Sequence, residues 1–219
     1  MEYKIDASNK DLKTVNSEIR KAIKNGAKKI VVGNASHIHG LAAGLKRGYI
    51  IVNGDSGDYT AALNDGATII INGNAGKFLA DNMTKGTVIV NGNADYGAAL
   101  YCYGGLVVIH GNAGDFLGAL NKGATIIVAG NAGDNVGTYM VGGEIVIVGN
   151  VGENVGNWLI RGNIYVGGKW QSLGHNCKET PLKSEDVRKL EEYFSKYNID
   201  ADPKKFKKLV PISKRPFYK

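Results

Sequence analysis

The chain has 219 residues, including 31 glycines and only 4 prolines, and carries a formal net charge of +7. This length allows one domain with a substantial core, and glycine at this level without a G-X-Y period excludes collagen and indicates many tight turns. The sequence shows no apolar run typical of a membrane span or a signal peptide, and two cysteines cannot build a disulfide framework. We therefore expect a cytoplasmic protein without a membrane partner.

The positive charge is concentrated at the two ends of the sequence. Residues 1–30 hold 8 basic and 4 acidic residues, residues 178–219 hold 12 and 7, and residues 31–177 hold 7 and 9. Nucleic-acid binding needs a basic stripe with aromatic or base-reading side chains. The run KKFKKL instead has Phe206 and Leu209 at helical spacing, which is typical of a solvated amphipathic helix. We therefore predict no nucleic-acid partner.

The first predicted element is an amphipathic helix that ends near Gly26. Its apolar face consists of Leu12, Val15, Ile19, Ala22 and Ile23.

A repeat of 19 residues follows and fills the middle of the chain. The tripeptide GNA or a close variant recurs after one step of 21 residues and then six steps of 19. We call its first residues the marker glycines: Gly33, Gly54, Gly73, Gly92, Gly111, Gly130, Gly149 and Gly168. The residues four and two positions before a marker glycine are β-branched from Ile50 and Val52 to Ile164 and Val166, which predicts one short strand per repeat.

Equal steps place like residues above like, so the simplest structure has one coil per repeat and parallel equivalent strands. The prediction is an all-β fold: a right-handed parallel β-helix of about seven 19-residue coils with flanking α-helices at both termini. Leucine-rich repeats and the hexapeptide β-helix are disfavoured, because the L-x-x-L-x-L frame is absent and 19 is not a multiple of six.

Other columns of the repeat predict the turns. Small residues seven positions after the marker, such as Ala61 and Gly118, indicate a tight inner corner. The apolar column ten positions after it is interrupted by Asn64 and Asn121. We expect φ > 0 at the marker glycines. The residue after each marker is expected to form an amide ladder between coils, with Asp55 replacing one rung: Asn34, Asn74, Asn93, Asn112, Asn131 and Asn150.

The C-terminal segment predicts more helix. Val187, Leu190, Phe194 and Tyr197 share one helical face behind Ser184 as N-cap, and Asp202-Pro203 is typical of another helix start. We expect one domain, 1–219, made of a helical cap (1–29), the β-helix (30–170) and a helical tail (171–219).

The residue between the two inward strand positions is also apolar and should face outward. This outward stripe consists of Ile51, Ile70, Ile89, Val108, Ile127, Val146 and Tyr165. Exposed over seven coils it would form a larger apolar patch than monomers usually show. The terminal helices, a partner subunit or a second copy should cover it.

Candidate metal ligands are few. His37 and His39 alternate and could share a face, but two ligands without a third are weak evidence for a metal. His110 stands where other coils have asparagine, which indicates a surface position. An acidic column could bind calcium or serve a polysaccharide lyase, although polar turns also explain it: Asp58, Asp115, Asp134 and Glu153.

The candidate nucleophiles are also weak. Cys102 shares a column with Met83 and Met140 and is predicted to be a core thiol. Cys177 lies two residues after His175, without an evident third group to orient the pair. The repeated string GNAGD is not a phosphate-binding loop. We therefore expect no catalytic, cofactor or metal site in this chain.

The coil GGLVVIHGNAGDFLG and its copies resemble the glycine-rich GXGXG β-helix family formed by the C-terminal domain of the glutamate synthase large subunit. The opening IDASNKDLKTVNSEIRKAI, together with GNASHIHGLAAGL and VGGKWQSLGHNC, is similar to small members associated with glutamate synthase-like and N-methylglutamate synthase-like complexes. One subunit of formylmethanofuran dehydrogenase shares the repeat but fits the opening and tail less well.

The resemblance implies a structural role in nitrogen metabolism. In that family a glutaminase part releases ammonia, a flavin-containing part makes glutamate, and the β-helix braces them. Partners would therefore be a glutaminase-like amidotransferase subunit and an FMN-binding synthase subunit. A subunit like that of formylmethanofuran dehydrogenase, a polysaccharide-acting β-helix enzyme and a self-assembling module remain alternatives.

Overall fold

The fold, seen in a computed structural model that describes residues 1–217, is a mostly parallel β-solenoid of about seven turns. Its strands are β1 (Glu2–Asp6), β2 (Lys29–Gly33), β3 (Tyr49–Asn53), β4 (Asp65–Ile71), β5 (Lys85–Val90), β6 (Leu106–Ile109), β7 (Thr125–Val128), β8 (Val141–Ile147), β9 (Arg161–Val166), β10 (Cys177–Thr180) and β11 (Lys207–Pro211). The helices are α1 (Leu12–Lys24), α2 (Ser184–Tyr197) and a 3₁₀ turn, Pro203–Lys205.

The 19-residue period sets the register of the column. Each strand from β1 to β8 pairs in parallel with the next, and Ile50 lies beside Ile69, which lies beside Val88. A second line of contact runs through single bridges, for example Ala75 to Ala94 and Ala94 to Ala113. The predicted inward columns are buried and form one continuous core. The predicted coil-on-coil stacking is therefore confirmed.

The marker glycines do not have the backbone conformation we expected. Gly54 has a positive φ of 96°, but the markers from Gly73 onward lie outside the left-handed region. Glycine is needed at these positions because there is no room for a side chain. A Cβ on Gly92 would lie 2.6 Å from Asn74 Oδ1 and 2.6 Å from Gly73 O of the preceding coil. The prediction of φ > 0 is wrong because close approach of coils, not turn geometry, requires glycine there.

Left-handed residues occur instead five, seven and nine positions after the marker. In one coil these are Tyr59, Ala61 and Leu63, with φ of 56°, 60° and 57°. Ala61 lies in the predicted inner corner and is fully buried. A Cβ on Gly118 in the same column would come within 2.7 Å of Ile145 Cδ1, which confirms that the corner admits only small residues.

Side-chain amides connect coils and close turns. The predicted ladder is present from Asn74 to Asn150, where each side-chain oxygen accepts a backbone N–H of the next coil, as from Asn93 N to Asn74 Oδ1 (2.9 Å). Asn34 is not a rung, because its Nδ2 donates to Asp6 Oδ1 instead. Asp55 replaces a rung by accepting from Asn74 N at 2.7 Å. The buried Asn64 and Asn121 bond their own turns, for example Asn64 Nδ2 to Ala67 O at 2.9 Å. These bonds satisfy polar groups in the core.

The N-terminal end is closed by a strand and a helix. β1 pairs with β2 and α1 connects them, with Val15, Ile19 and Ala22 in the core. Asn16 fixes α1 to the column through Gly40 O and Ala42 N (3.0 and 2.8 Å). The predicted helix is present, but residues 1–29 are not purely helical, because β1 extends the sheet by one parallel strand.

The C-terminal segment differs more from the prediction. α2 begins after Lys183, which takes the N-cap position predicted for Ser184. No second helix follows: Asp202-Pro203 starts only the 3₁₀ turn, and KKFKKL continues into β11, which lies antiparallel between β9 and β10. The helix prediction is wrong here because β9 offers an unpaired edge that a strand can satisfy. Neither α1 nor α2 in residues 1–217 is long and apolar enough to cross a membrane.

Candidate functional site

The two histidines of SHIHG contact different parts of the chain. His37 Nε2 lies 3.2 Å from Lys10 O, whereas His39 Nδ1 accepts the backbone N–H of Asp58 at 3.0 Å. Within residues 1–217, no group of three or more histidine, cysteine, aspartate or glutamate side chains is placed to hold a metal ion. His110 is half-buried and follows an amide ladder in the same column, in which Asn91 Nδ2 donates to Asn72 Oδ1 at 2.8 Å.

The two cysteines face the core. Burial raises the pKa of each thiol to about 12, so neither is a thiolate near neutral pH. Cys102 lies in the predicted apolar column, where its Sγ donates to Ala80 O at 3.2 Å. Cys177 closes the end of the core, while the exposed His175 packs on Trp158 with ring centroids 4.0 Å apart. The adjacency of His175 and Cys177 in sequence therefore does not make a nucleophile.

The acidic column forms a second ladder. Asp115 Oδ1 accepts the N–H of Asp134 at 2.8 Å, and Asp134 Oδ1 accepts the N–H of Glu153 at 2.7 Å. Asp58 bonds the N–H of Lys77 in the same way. One oxygen of each of these aspartates is therefore used to hold the next coil, which is a structural role.

The outward stripe is covered over one half only. Leu190 and Phe194 of α2 pack on Val108, Ile127 and Val146, which are fully buried. Toward the N-terminal end the stripe continues through Ile51 and Ile70, which stay partly exposed. We call this half the open stripe and define it by Ile51, Ile70 and their outward neighbour Tyr49, which is 40% exposed. It offers an apolar sheet face of the same kind that α2 already covers.

A polar cluster that the sequence analysis missed holds α2 in place. Asp186, 2% exposed, accepts hydrogen bonds from Tyr165 Oη (2.7 Å) and Lys208 Nζ (2.8 Å), and from the backbone N–H of Lys183 (2.9 Å). We call Tyr165, Asp186 and Lys208 the latch.

A second ion pair supports the latch. Lys189 Nζ bonds both Glu144 and Tyr165 Oη, and Tyr193 Oη donates to Glu144 at 3.1 Å. Burial and the neighbouring carboxylates raise the pKa of Tyr165, which therefore stays a neutral donor. One signal was visible in the sequence: Tyr165 is the single hydroxyl in a stripe of aliphatic residues.

The latch predicts a specific pH dependence. Burial alone would raise the pKa of Asp186, but hydrogen bonds from Lys208, Tyr165 and Lys183 outweigh it and lower the pKa to about 2. The pKa of an aspartate in the unfolded chain is about 3.9, so the ionised Asp186 carboxylate stabilises the folded protein by about 2–3 kcal/mol. This stabilisation is complete above about pH 5 and is lost as the pH falls toward 2.

We expect the stability difference between wild type and Asp186→Asn to shrink over that range. Urea unfolding at several pH values measures it. The exposed substitution Glu185→Gln changes the charge equally and should show no such dependence; a constant difference for Asp186→Asn would contradict the prediction.

Comparisons with known proteins agree with the coil geometry. Residues 94–201 match the model of a family described as GXGXG motif. No curated protein matches this sequence. Among solved structures, the chain is similar to a chain of the formyltransferase/hydrolase complex (FhcABCD) from Methylorubrum extorquens in complex with methylofuran, with 21% identity, a TM-score of 0.54, and coverage of 90% of this chain and 85% of that chain. At this identity the likeness shows the fold.

Proposed function

We propose that the chain, whose residues 94–201 match the GXGXG motif family, belongs to that family and is a non-catalytic structural subunit of a multi-protein complex. The observation that carries the proposal is the open stripe, an apolar sheet face that α2 covers over one half and leaves partly exposed over the other. A surface of this kind on a rigid column suits a brace between other subunits.

The other candidate residues support a structural role. The thiols lie in the core, and the acidic column bonds backbone N–H groups of neighbouring coils. We therefore propose that the chain has no catalytic, cofactor or metal site of its own, and that 1–219 is one domain whose parallel coils wind right-handed, as crossover chirality favours.

We propose, more specifically, a glutamate synthase-type complex that works in cytoplasmic glutamate biosynthesis. The supporting observation is the resemblance of the coils, the opening segment and the tail to stand-alone members associated with such complexes. The partners would be a glutaminase-like amidotransferase subunit, which supplies ammonia, and an FMN-binding synthase subunit, which uses it.

A second candidate is a structural role like that of the repeat-containing subunit of formylmethanofuran dehydrogenase. That subunit shares the repeat, and the solved structure with the same fold comes from a formyltransferase/hydrolase complex. The two candidates differ in what accompanies the chain: a flavoprotein with a glutaminase-like chain, or subunits of formyl-transfer chemistry.

The test is affinity purification of the tagged chain from its own cells, followed by identification of the accompanying chains and a flavin absorbance spectrum. We expect a flavoprotein and a glutaminase-like chain with the wild type, and loss of both with Ile51→Lys/Ile70→Lys, which places two charges on the open stripe. The matched control is Glu153→Lys, an exposed site at which one substitution changes the net charge by the same two units.

Each outcome is decisive. Accompanying formyltransferase subunits would favour the second candidate over the first. A chain that purifies alone would contradict both. Partners that stay bound to Ile51→Lys/Ile70→Lys would show that the open stripe is not the docking surface.

A further inference from the structure

A second apolar surface lies on the turns that follow each marker glycine. The rings of Tyr59, Phe78, Tyr96 and Phe116 contact one another from coil to coil, with centroids 4.8, 5.5 and 5.4 Å apart. Leu63 and Tyr101 lie nine positions after the marker glycines of two of these coils and are 60% and 39% exposed. We call these six residues the aromatic face. It is distinct from the open stripe, which belongs to the strands.

The fold does not require aromatic residues at these positions. Tyr59 and Tyr101 have φ of 56°, a left-handed conformation that asparagine tolerates better than a bulky residue. Asn135 and Asn82 occupy the equivalent positions in other coils with φ of 60° and 55°. The turn conformation therefore does not explain the exposed tyrosines, and exposed aromatic side chains grouped on one surface are typical of a binding role.

Ring packing and charge disfavour two classes of ligand. Tyr59 and Phe78 are stacked with planes 18° apart, so each ring loses one of the two faces on which a sugar could stack. Residues 31–177 carry 7 basic and 9 acidic groups, so the column does not supply the basic stripe that a nucleic acid needs. What remains exposed is side-chain surface of Tyr59, Tyr101 and Leu63, which suits the side chains of a protein.

The chain already seats one of its own aromatic residues at the end of this surface. Phe217 stacks on Trp158 with ring centroids 5.0 Å apart and ring planes at 14°. The ring centroids of Phe217 and Tyr139 are 6.3 Å apart. Tyr139 and Trp158 continue the column of Leu63 and Tyr101 in later coils. The turn surface therefore binds apolar side chains where they are available.

We propose that the aromatic face is the interface between two copies of this chain. An aromatic side chain has roughly 150–250 Å² to bury, so the exposed fractions of Tyr59, Tyr96, Tyr101, the adjacent Tyr103 and Leu63 leave roughly 450 Å² of mostly apolar surface. One side of a standard interface buries about 800 Å², somewhat more than half of it apolar. The available area therefore matches the apolar part of one side of a standard interface.

The charge distribution favours the same contact. Each copy carries +7, and the excess lies in residues 1–30 and 178–219. Two copies repel least where they meet through the near-neutral repeat region. The coils that carry the face contain Lys77 and Lys122 as well as Asp58, Asp81 and Asp95, so both signs of charge are present there.

The test compares Tyr59→Asn/Tyr101→Asn with Tyr3→Thr by sedimentation equilibrium of the purified full-length chain. Tyr3 is 38% exposed but lies on β1, outside both the aromatic face and the open stripe. We expect wild type and Tyr3→Thr to be dimers. In the double asparagine variant the dissociation constant should rise about 30-fold or more, as for aromatic hot spots.

Stability separates an interface from a packing role. At concentrations where both proteins are monomers, the melting temperature of the asparagine variant should stay close to that of the wild type, because relief of backbone strain offsets the lost stacking of Tyr59 on Phe78. A markedly lower melting temperature would show that the rings mainly stabilise the column and would overturn the proposal.

Two further results would also overturn it: a wild-type chain that stays monomeric up to about 100 µM, a weak limit for a specific dimer, or a variant that still dimerises. A monomeric wild type is also the expected result if the aromatic face binds a different subunit. Because the measurement uses the chain alone, its failure is separate from a failure of the proposed structural role in a complex.

Discussion

Gly92→Ala is expected to destabilise the column by about 3 kcal/mol or more. The added Cβ would lie 2.6 Å from Asn74 Oδ1 and 2.6 Å from Gly73 O. Neither atom can move freely, because Asn74 Oδ1 accepts from Asn93 N at 2.9 Å and Gly73 O accepts from Gly92 N at 2.9 Å. The coils must separate locally, and the ladder bonds on both sides weaken.

Chemical denaturation followed by circular dichroism measures this loss, and the chain supplies a matched control. Gly33 is also a marker glycine, but a Cβ there meets nothing within 4 Å. Gly33→Ala should change the free energy of unfolding by no more than about 0.5 kcal/mol. Equal effects at Gly33 and Gly92 would show that glycine is needed for backbone freedom instead of coil spacing.

Asp186→Ala is expected to release α2 from the sheet at a cost of about 3–5 kcal/mol, because it leaves a buried cation without its partner. The Lys208 side chain is only 13% exposed, and the Tyr165 hydroxyl is fully buried. Hydrogen exchange should become faster in α2 while the amides of β3–β7 stay protected. Binding of an apolar dye should increase as Val108, Ile127 and Val146 become exposed.

The cause of this effect can be isolated. Glu185→Ala removes an exposed carboxylate from the same helical turn, 3.7 Å from Lys183, and should cost less than about 1 kcal/mol. Replacing the whole latch by Asp186→Leu/Tyr165→Phe/Lys208→Met should recover most of the lost stability, because no buried charge is left unpaired. A triple variant as unstable as Asp186→Ala would contradict the ion-pair explanation.

The column was predictable because its period is explicit in the residues. Ile50, Ile69 and Val88 repeat at 19 residues, so one coil determines the next, and pairing of equivalent strands follows without knowledge of distant contacts. The same periodicity identified the tight corner at Ala61 and the asparagine ladder. It also placed Cys102 in the core, because a column shares one environment along its length.

Sequence patterns failed where the outcome depends on neighbours outside the repeat. The apolar residues of KKFKKL have helical spacing, but β9 has an unpaired edge that a strand can satisfy. Leu209 therefore lies in β11, which pairs with β9. The marker glycines were assigned to turns, but contact with the preceding coil explains them better. Asp186 is an ordinary first-turn acid in the sequence, and only docking of α2 brings it to Tyr165 and Lys208.

The coil follows from the residues alone, since local β-branched alternation and an exact repeat need no long-range information. Which surfaces remain open depends on contacts between distant parts of the chain. α2 covers the stripe as far as Val108 and leaves Ile51 and Ile70 partly exposed. Phe217 packs on Trp158, whereas Tyr59 and Tyr101 stay 44% and 39% exposed. Coverage depends on where the non-repeating ends of the chain find partners in space, and a 19-residue period contains no information about that.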